Sequence, residues 1–210
     1  MNVSIIIVSY NTQQLTLQAL ASVFEKTADI DFEVIVVDNA STDGTVAVIE
    51  SQFPLVKIIK SDENLGFGRA NNKGASIAKG RNILFLNPDT LLVNNAVKIL
   101  SDYLDQHDKV GVCGGNLYDA DMSPASSYHY VFSPLLWDIN SILSGKLFRL
   151  LYGKNYHFNH TDQPRKVAHI VGANMMMKKS IFDTLGGFDK DFFMYREETE
   201  LNYRVYKMGY

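Results

Sequence analysis

Four short apolar runs, each followed by a segment with helical spacing, occupy the first hundred residues. The runs are rich in β-branched residues and span Val3–Val8, Phe32–Val37, Val56–Ile59 and Ile83–Leu86. Continuous apolar runs of this length are typical of strands that are buried on both faces of a parallel sheet. Helices between such strands provide the crossover connections of βαβ units. The pattern therefore predicts an α/β fold with a doubly wound, mostly parallel central sheet flanked by helices.

The second hundred residues have a less regular pattern. Here the sequence predicts strands at Val110–Cys113 and Val167–Val171, a helix that starts near Lys178 and a last helix from about Glu197 to Met208. Between the two strands, Leu135–Leu151 carries apolar residues at helical spacing. This stretch, which includes Trp137, is predicted to be a packed helix, and the basic residues nearby leave a membrane-surface role open.

Composition and charge exclude several classes of protein. The chain has 210 residues, enough for one large domain, and its net charge of −3 gives no basic face for nucleic acid. A single cysteine, Cys113, excludes an internal disulfide framework. No apolar stretch approaches the ~18 residues of a membrane-spanning helix, and the amino terminus lacks a signal-peptide pattern. We therefore expect a single cytoplasmic domain that binds no nucleic acid.

The segment FLNPDT places polar residues directly after the fourth apolar run. Asn87 and Asp89 are predicted to lie at the carboxyl end of that strand, where ligands bind in open α/β sheets. Oxygen ligands at such a turn can hold a hard cation, which can in turn bind a diphosphate. An Asn-Pro-Asp turn is also a common connection between a strand and a helix that binds no ligand.

Two further polar segments follow predicted strands. In VVDNASTDGT, Asp38 is expected to accept a hydrogen bond from a nucleobase or ribose, whereas Asp43 is expected to cap the next helix. In NLGFGRANNKG, Gly66 and Gly68 open a helix whose amino terminus favours an anion, and Arg69 can reach a phosphate or base. A plain turn is the alternative for the second segment.

The REETEL segment clusters three carboxylates where the last helix is predicted to begin. A glutamate there can act as a general base toward an acceptor hydroxyl. Acidic residues in a first turn also complement the helix dipole, and Glu200–Arg204 is a favourable i,i+4 pair. Elsewhere, His157 and His160 have metal-ligand spacing but no partner ligands, which favours a solvated loop over a zinc site.

Taken in order, these segments resemble family 2 glycosyltransferases, particularly the bacterial rhamnosyltransferase-like members that build surface polysaccharides. The matching segments are VSIIIVSYN, VIVVDNASTDGT, NLGFGRANNKG, FLNPDT, IVGANMMMKKSIFDTLGGFD and FFMYREETELNYRVYKMGY, which span nearly the whole chain. The resemblance implies a GT-A-type nucleotide-diphospho-sugar transferase fold, with a nucleotide-sugar-binding half at 1–110 and an acceptor-side half at 111–210. It also implies transfer with inversion at the anomeric carbon.

The resemblance assigns roles to individual residues. It implies that Asp38 contacts the nucleotide base and that Asn64 and Arg69 lie beside it. Ser9 and Asn11 are placed in the same donor site. Asp89 corresponds to the metal-binding acid of an Asp-X-Asp motif, and Asn87 takes that motif's first position. The implied cofactor is a divalent cation, Mg²⁺ or Mn²⁺.

The acceptor-side motif departs from the family pattern. Where the family has Glu-Asp, this chain has Glu197 and Glu198, so Glu198 is the expected base and Glu197 its neighbour. Glu198 is one methylene longer than the usual aspartate. Relatives also continue beyond the last helix, so the chain is expected to be truncated at Tyr210. A nucleotide-sugar-binding module without turnover is therefore the alternative, whereas a nicotinamide-dependent oxidoreductase would need a glycine fingerprint that is missing.

The implied partners are a dTDP-, UDP- or GDP-linked sugar and a saccharide or lipid-linked saccharide acceptor. Peripheral contact with the inner face of the membrane and a homodimer formed through the Leu135–Leu151 stripe are both left open. The sugar and the acceptor are not identified by any motif.

Overall fold

The computed structural model describes residues 1–210, apart from the side chains of Pro134 and Trp137. Its strands are β1 Val3–Ser9, β2 Phe32–Asp38, β3 Lys57–Lys60, β4 Asn82–Leu86, β5 Val112–Gly114, β6 Tyr128–His129, β7 His169–Ile170 and β8 Asn174–Lys178. Its helices are α1 Gln13–Lys26, α2 Thr45–Gln52, α3 Gly66–Ile77, α4 Ala96–Gln106, α5 Pro134–Ile142, α6 Lys146–Tyr152, α7 Lys179–Leu185 and α8 Glu197–Lys207, with a short 3-10 helix at Gly153–Asn155.

A six-stranded sheet in the order β3-β2-β1-β4-β8-β5 forms the centre of the fold. Strands β3, β2, β1 and β4 are parallel to one another, whereas β8 runs antiparallel to both β4 and β5. Strands β6 and β7 form a separate antiparallel pair. The chain moves outward from β1 to β2 and β3 and then returns to the other side of β1 at β4. This reversal is the kind of switch point beyond which α/β sheets bind ligands.

Side chains alternate between two buried layers, as the two-residue period of a strand requires. On one face, Ile5, Ile7 and Leu84 pack with residues of α1, α2 and α4. On the other face, Ile6 and Phe85 pack with residues of α3, α7 and α8. The central strands are therefore covered on both sides, which explains their continuous apolar sequences. The predicted α/β fold with a mostly parallel, helix-flanked sheet is confirmed.

One strand is shorter than predicted, and another was not predicted. The strand expected at Val167–Val171 is present as β7, which covers only His169–Ile170 and pairs with β6 outside the central sheet. The strand that enters the central sheet is β8, which immediately precedes α7. Its core is three methionines, Met175–Met177, which are fully buried. Methionine lacks the β-branched signature on which the strand predictions rested.

The expected single packed helix at Leu135–Leu151 is also wrong, because the chain breaks into α5 and α6. Ser144 and Gly145 between them have positive φ angles of 50° and 78°, which end the first helix. The apolar stripe is largely exposed, with Ile142 at 82% and Leu150 at 83%. The interpretation of Trp137 as a packed residue lies outside the described side chains. Within the described part of the chain, no helix is long and apolar enough to cross a bilayer.

Candidate functional site

Asp38 lies at the carboxyl end of β2, beside the end of β1. The register pairs Ser9 with Asp38, so the last residues of the two strands are adjacent. The Asp38 carboxylate is only 4% exposed. Its Oδ2 accepts a hydrogen bond from the Ser41 N–H at 3.2 Å, whereas its Oδ1 is buried and has no partner among the described residues. A buried oxygen that accepts no hydrogen bond costs free energy. Oδ1 is therefore a strong candidate to accept a hydrogen bond from a ligand.

Asp43, in the same loop, has a different environment. Its carboxylate accepts hydrogen bonds from the Thr45 N–H at 3.1 Å and the Gln13 N–H at 2.9 Å. Donors of this kind, led by the Thr45 hydroxyl, lower the pKa of Asp43. Asp43 therefore ties the starts of α2 and α1 together from the position before Gly44, which is the N-cap residue of α2.

Ser9 and Asn11 shape the loop around Asp38. The Ser9 hydroxyl is fully buried and lies 3.0 Å from the hydroxyls of both Thr12 and Thr16. Asn11 donates its N–H to the Ser41 Oγ at 3.0 Å and accepts from the Thr42 N–H at 2.8 Å. These contacts are internal to the protein, so the structure gives both residues a role in loop geometry. Their expected place in the donor site stays a prediction.

Asn64 is also held by internal contacts. Its Oδ1 accepts hydrogen bonds from the Asn39 amide and from the Gly66 N–H, both at 2.9 Å. Asn39 is itself buried and accepts from the Leu65 N–H at 3.1 Å. Through Asn39 and Asn64, the loop after β2 is fixed to the start of α3. The expected place of Asn64 in the donor site stays a prediction.

The amino terminus of α3 differs from the expected anion site. The Phe67 N–H donates to the Phe193 carbonyl oxygen at 3.0 Å, and the Gly66 N–H is occupied by Asn64. A Cβ on Gly66 would lie 2.1 Å from the Phe193 oxygen, so this glycine permits close approach of the protein's own backbone. Arg69 donates through Nε to the Lys190 oxygen at 2.7 Å. The start of α3 is thus bonded to the segment that precedes α8.

Asn87 and Asp89 lie in the turn that follows β4. The Asn87 N–H donates to the Ala173 oxygen at 3.0 Å, while the Asn87 Oδ1 is buried without a partner among the described residues. The Thr90 N–H closes the turn on the Asn87 carbonyl at 3.1 Å. Asp89 is exposed. The turn therefore presents one carboxylate and one unpaired amide oxygen at the edge of the sheet.

Asn174 is a residue of this edge that the sequence analysis missed. It begins β8, is 6% exposed and pairs with Leu86 across the sheet. Its Oδ1 is likewise buried with no partner in the described part of the chain. The available signal was a polar residue directly before the Met175–Met177 run. It could be read only once that run was recognised as a strand beside β4.

The oxygen atoms of Asn87 and Asp89 suit a divalent cation. Hard cations prefer oxygen ligands, and Mg²⁺ sites often combine one or two carboxylates with phosphate oxygens and water. No group of three or more histidine, cysteine or acidic side chains among the described residues forms a complete protein cage. The side chains of Asp89 and Asn87 therefore carry the kind of oxygen ligand that a divalent cation takes.

Glu197 and Glu198 occupy the first turn of α8 in contrasting settings. Glu197 is 4% exposed, and its Oε2 has no partner among the described residues. Burial, and to a smaller extent the charge of Glu198, raises the pKa of Glu197. Glu198 is half-buried, and its Cβ lies 3.5 Å from the position of a Cβ built on Gly172. Gly172 precedes Ala173, which binds Asn87, so Glu198 faces the chain beside the β4 turn.

A cavity of about 800 Å³ lies beside β5. It is lined by α4, β5, the segment 164–170 and the second half of α8. Asn202 belongs to this lining, and its amide donates to the Glu198 carbonyl at 2.7 Å. The cavity thus begins one helical turn, ~5 Å, from the candidate base. His157 and His160 lie in an irregular loop outside this lining.

Comparisons with known proteins bear on the family and the fold of the chain. The model of the family described as Glycosyl transferase family 2 matches residues 4–186. The N-acetylglucosaminyl-diphospho-decaprenol L-rhamnosyltransferase of Mycobacterium tuberculosis is 26% identical over 189 residues, which cover 84% of this chain and 62% of the relative. The dTDP-rhamnosyl transferase RfbF of Shigella flexneri is 26% identical over 211 residues, covering 99% and 64%. The chain therefore spans less than two thirds of each relative.

A solved structure supports the fold independently. The mannosyltransferase PcManGT from Pyrobaculum calidifontis, in complex with GDP-Man and Mn²⁺, matches with a TM-score of 0.68 at 20% identity. The match covers 100% of this chain and 53% of that structure. The expected GT-A-type fold is thereby confirmed.

Proposed function

Since the chain belongs to glycosyl transferase family 2, we propose that it transfers a sugar from a nucleoside diphosphate to an acceptor hydroxyl with inversion at the anomeric carbon. The observation that carries this proposal is a group of buried oxygens without partners among the described residues: Asp38 Oδ1, Asn87 Oδ1 and Asn174 Oδ1 at the carboxyl edge of the parallel strands, and Glu197 Oε2 at the start of α8. Buried oxygens of this kind are uncommon in natural proteins and are satisfied by a ligand, an ion or water.

The donor is a nucleotide-sugar whose nucleoside lies against Asp38. A ring N–H or a ribose hydroxyl donates to the free Oδ1, while Oδ2 keeps its bond to the Ser41 N–H. The loop held by Asn11 and the turn held by Asn64 surround this position. The named activity of RfbF favours a dTDP-linked sugar, and UDP- and GDP-linked sugars are the other candidates.

Asp89 and Asn87 would hold a divalent cation, Mg²⁺ or Mn²⁺. Such a cation neutralises the negative charge that develops on a departing diphosphate. The oxygen chemistry of the turn supports this assignment, and the PcManGT structure was obtained with Mn²⁺. Metal dependence is therefore part of the proposal.

Glu198 is the proposed general base. Its carboxylate removes the proton of the acceptor hydroxyl as that oxygen bonds to the anomeric carbon and the bond to the diphosphate breaks. General bases contribute ~100- to 10,000-fold to rate. The position of Glu198 beside Gly172 supports this role, because the next residue, Ala173, accepts a hydrogen bond from Asn87 in the β4 turn. Glu197 is buried, with its Cβ 3.7 Å from the position of a Cβ built on Gly68, and it positions Glu198.

The acceptor is a saccharide or a lipid-linked saccharide in surface polysaccharide synthesis. The cavity beside β5 supports this part of the proposal, because its lining includes Asn202, one turn from Glu198. The Mycobacterium tuberculosis relative is named for a diphospho-decaprenol-linked substrate, which favours the lipid-linked alternative.

A binding module without turnover is the second candidate. It is favoured by Glu198, which stands where the family motif has a shorter aspartate. A displacement of about 1 Å at a reacting group can lower the rate ~100-fold. This candidate predicts binding of a nucleotide-sugar without release of the sugar.

Calorimetric titration tests the donor site. Wild-type protein is titrated with UDP, dTDP and GDP, each with and without Mn²⁺, and we expect metal-enhanced binding of one nucleotide. Asp89→Ala should lose the metal enhancement and keep the weaker metal-free binding. Asp108→Ala, at an exposed loop between α4 and β5, is the matched control. Absence of binding by all three nucleotides contradicts the proposal, and an unchanged Asp89→Ala variant contradicts the cation site.

Release of the nucleoside diphosphate from the donor separates the two candidates. Glu198→Gln should keep donor binding and lower release in the presence of a lipid-linked saccharide acceptor by ~100-fold or more. Full activity in Glu198→Gln contradicts the assignment of the base. Tight donor binding with no release by the wild-type protein favours the binding module.

A further inference from the structure

Helices α5 and α6 present a continuous set of exposed apolar side chains. We call this surface the α5–α6 apolar face, and it comprises Leu135, Leu136, Ile139, Ile142, Leu143, Leu150 and Leu151. Ile142 and Leu150 are more than four fifths exposed, at 82% and 83%, and Leu135 is 67% exposed. Single exposed leucines are common, but a cluster on two adjoining helices marks a surface for a partner or a membrane.

The face points outward because the opposite side of the helices is already packed. Phe148 of α6 is 5% exposed, and its ring lies 6.0 Å from that of Tyr152. Tyr152 stacks on Tyr130 with ring centroids 4.3 Å apart. The Phe148 N–H donates to the Asn140 Oδ1 at 2.8 Å, which ties α6 to α5. These contacts hold the pair in place, so the apolar face cannot turn inward without breaking them.

The charge around this face is positive in a chain of net charge −3. Asp138 is the only acidic residue between 122 and 161. Lys146, Arg149 and Lys154 are exposed, and none forms an ion pair with a side chain that the structure describes. Unpaired basic residues beside exposed leucines are the combination that binds anionic lipid surfaces.

The segment that leads into α5 packs against α8. The ring of Phe132, two residues before α5, lies 5.3 Å from that of Tyr203 and 5.8 Å from that of Tyr206, both on α8. The first turn of α8 also carries Glu198.

We propose that the α5–α6 apolar face inserts into the interfacial layer of an anionic phospholipid bilayer, with Lys146, Arg149 and Lys154 at the level of the headgroups. A neutral protein partner would match the apolar side chains but would leave the depletion of acidic residues without a cause. An acidic protein partner would match the same charges, and it predicts that the chain does not float with vesicles. The helices are far too short to span the bilayer, so the contact is peripheral. The inference does not depend on the proposed transferase reaction, because binding to lipid is measured without substrate.

Vesicle flotation tests the inference on the full chain. Wild-type protein should float with vesicles of phosphatidylcholine and phosphatidylglycerol in equal parts, and less with phosphatidylcholine alone. High salt should weaken binding to the anionic vesicles without abolishing it, because screening acts on the charges and leaves the apolar contacts.

Two variants separate the apolar and the charged contributions. The triple variant Ile142→Ser, Leu150→Ser, Leu151→Ser should lower partitioning into anionic vesicles by about tenfold or more. The variant Lys146→Glu, Arg149→Glu should lose the preference for anionic vesicles. The matched control Leu15→Ser, Leu55→Ser, Ile77→Ser changes exposed apolar residues elsewhere and should bind as the wild type does. Circular dichroism verifies that each variant is folded.

Three results would overturn the inference. The first is failure of the wild-type protein to float with either kind of vesicle, and the second is flotation of the triple variant to the same extent as the control. The third result is a wild-type dimer in analytical ultracentrifugation that the triple variant converts to a monomer, without binding of vesicles. That outcome would assign the face to contact between two copies of the chain.

Discussion

At the scale of single residues, two aspartates in one loop show how environment separates structural from ligand-binding roles. Asp43 has its oxygens occupied by the amides of Thr45 and Gln13. Asp38 is more buried, yet one of its oxygens has no partner among the described residues. Because an unpaired buried oxygen costs ~1–3 kcal/mol, a ligand that donates to it gains affinity from a cost already present in the folded protein.

Asp38→Asn should weaken nucleotide binding by about 10- to 100-fold, the equivalent of one hydrogen bond to a charged group. The amide keeps the size of the side chain and one oxygen, so the loop should remain folded. Calorimetric titration with the nucleotide that binds the wild type measures the change. Asp43→Asn serves as the comparison. It should lower the melting temperature, and its effect on affinity should be smaller than that of Asp38→Asn. Equal affinity of Asp38→Asn and wild type would contradict the assignment.

Glu197→Gln should alter how stability depends on pH. Burial and the charge of Glu198 raise the pKa of Glu197 above its ordinary value of 4.5. The folded protein therefore binds a proton more tightly than the unfolded chain, and the free energy of unfolding falls as pH rises from about 4.5 to the raised pKa. Glu197→Gln removes this fall, so its stability should gain on that of the wild type as pH increases across that window.

Urea denaturation at a series of pH values measures this effect. Glu63→Gln, at an exposed position before α3, is the control and should follow the wild-type curve. A constant difference in stability between Glu197→Gln and wild type across the window would show that Glu197 ionises at its ordinary pKa.

At the scale of secondary-structure elements, the start of α3 and the segment before α8 form one unit. The Phe193 carbonyl accepts from the Phe67 N–H, and Arg69 binds the Lys190 oxygen. Tyr195 and Arg196 follow with positive φ angles of 71° and 70°, which are uncommon for non-glycine residues. The position of Glu198 in the first turn of α8 therefore depends on contacts made by α3.

Gly66→Ala tests this unit against a matched glycine. Gly66 and Gly186 both have φ of +77°, but a Cβ on Gly66 would lie 2.1 Å from the Phe193 oxygen, whereas Gly186 has no atom within 4 Å among the described residues. Both variants carry the same backbone strain, of order ~1 kcal/mol. Gly66→Ala should cost a further ~1–3 kcal/mol because backbone must move. Urea denaturation compares the two, and equal losses of stability would contradict the close contact.

The sequence predicted well those strands that are buried on both faces, because most residues of such a strand are apolar. Strands β1, β2 and β4 have apolar side chains on both faces, which gives an unbroken run. Strand β8 escaped prediction because its methionines carry no strand preference and because an antiparallel strand does not fit a βαβ alternation. The break at Ser144–Gly145 was not predicted, because helical spacing continues across it. The exposure of the apolar stripe was not predicted either, because spacing does not show which face of a helix is buried.

At the scale of the whole molecule, the candidate site joins residues from most of the chain. Asp38, Asn87 and Asp89 could be predicted because each follows a recognisable strand. Asn174 could not, since its place beside Leu86 depends on strand order, which sequence patterns do not give. The family resemblance supplied Glu197 and Glu198, and their different burial became known only from the packing of α8 against α3.

Mild acid should destabilise the whole fold through the small β6–β7 sheet. Burial, reinforced by His129, lowers the pKa of His169 from its ordinary value of 6.5 to about 3. Below pH 6.5 the unfolded chain binds a proton that the folded protein does not, so stability falls as pH decreases, by at most ~1.4 kcal/mol per pH unit from this residue. Thermal denaturation between neutral pH and pH ~5 measures the fall.

His169→Gln is the variant that isolates this contribution. It should lower stability at neutral pH, because a packed ring is lost, and should flatten the dependence of stability on pH. A slope equal to that of the wild type would show that other groups, such as His129 and His157, whose pKa values burial also lowers, account for the effect.

The antiparallel entry of β8 has a consequence for synthesis of the chain. Strand β5 joins the central sheet only through β8, and β4 has β8 as its outer neighbour. While the ribosome is still making residues before 174, the sheet ends at β4 with an open row of backbone donors and acceptors. Open strand edges of this kind pair readily with other chains. The nascent amino-terminal half is therefore exposed to misassembly until β8 emerges to cover β4.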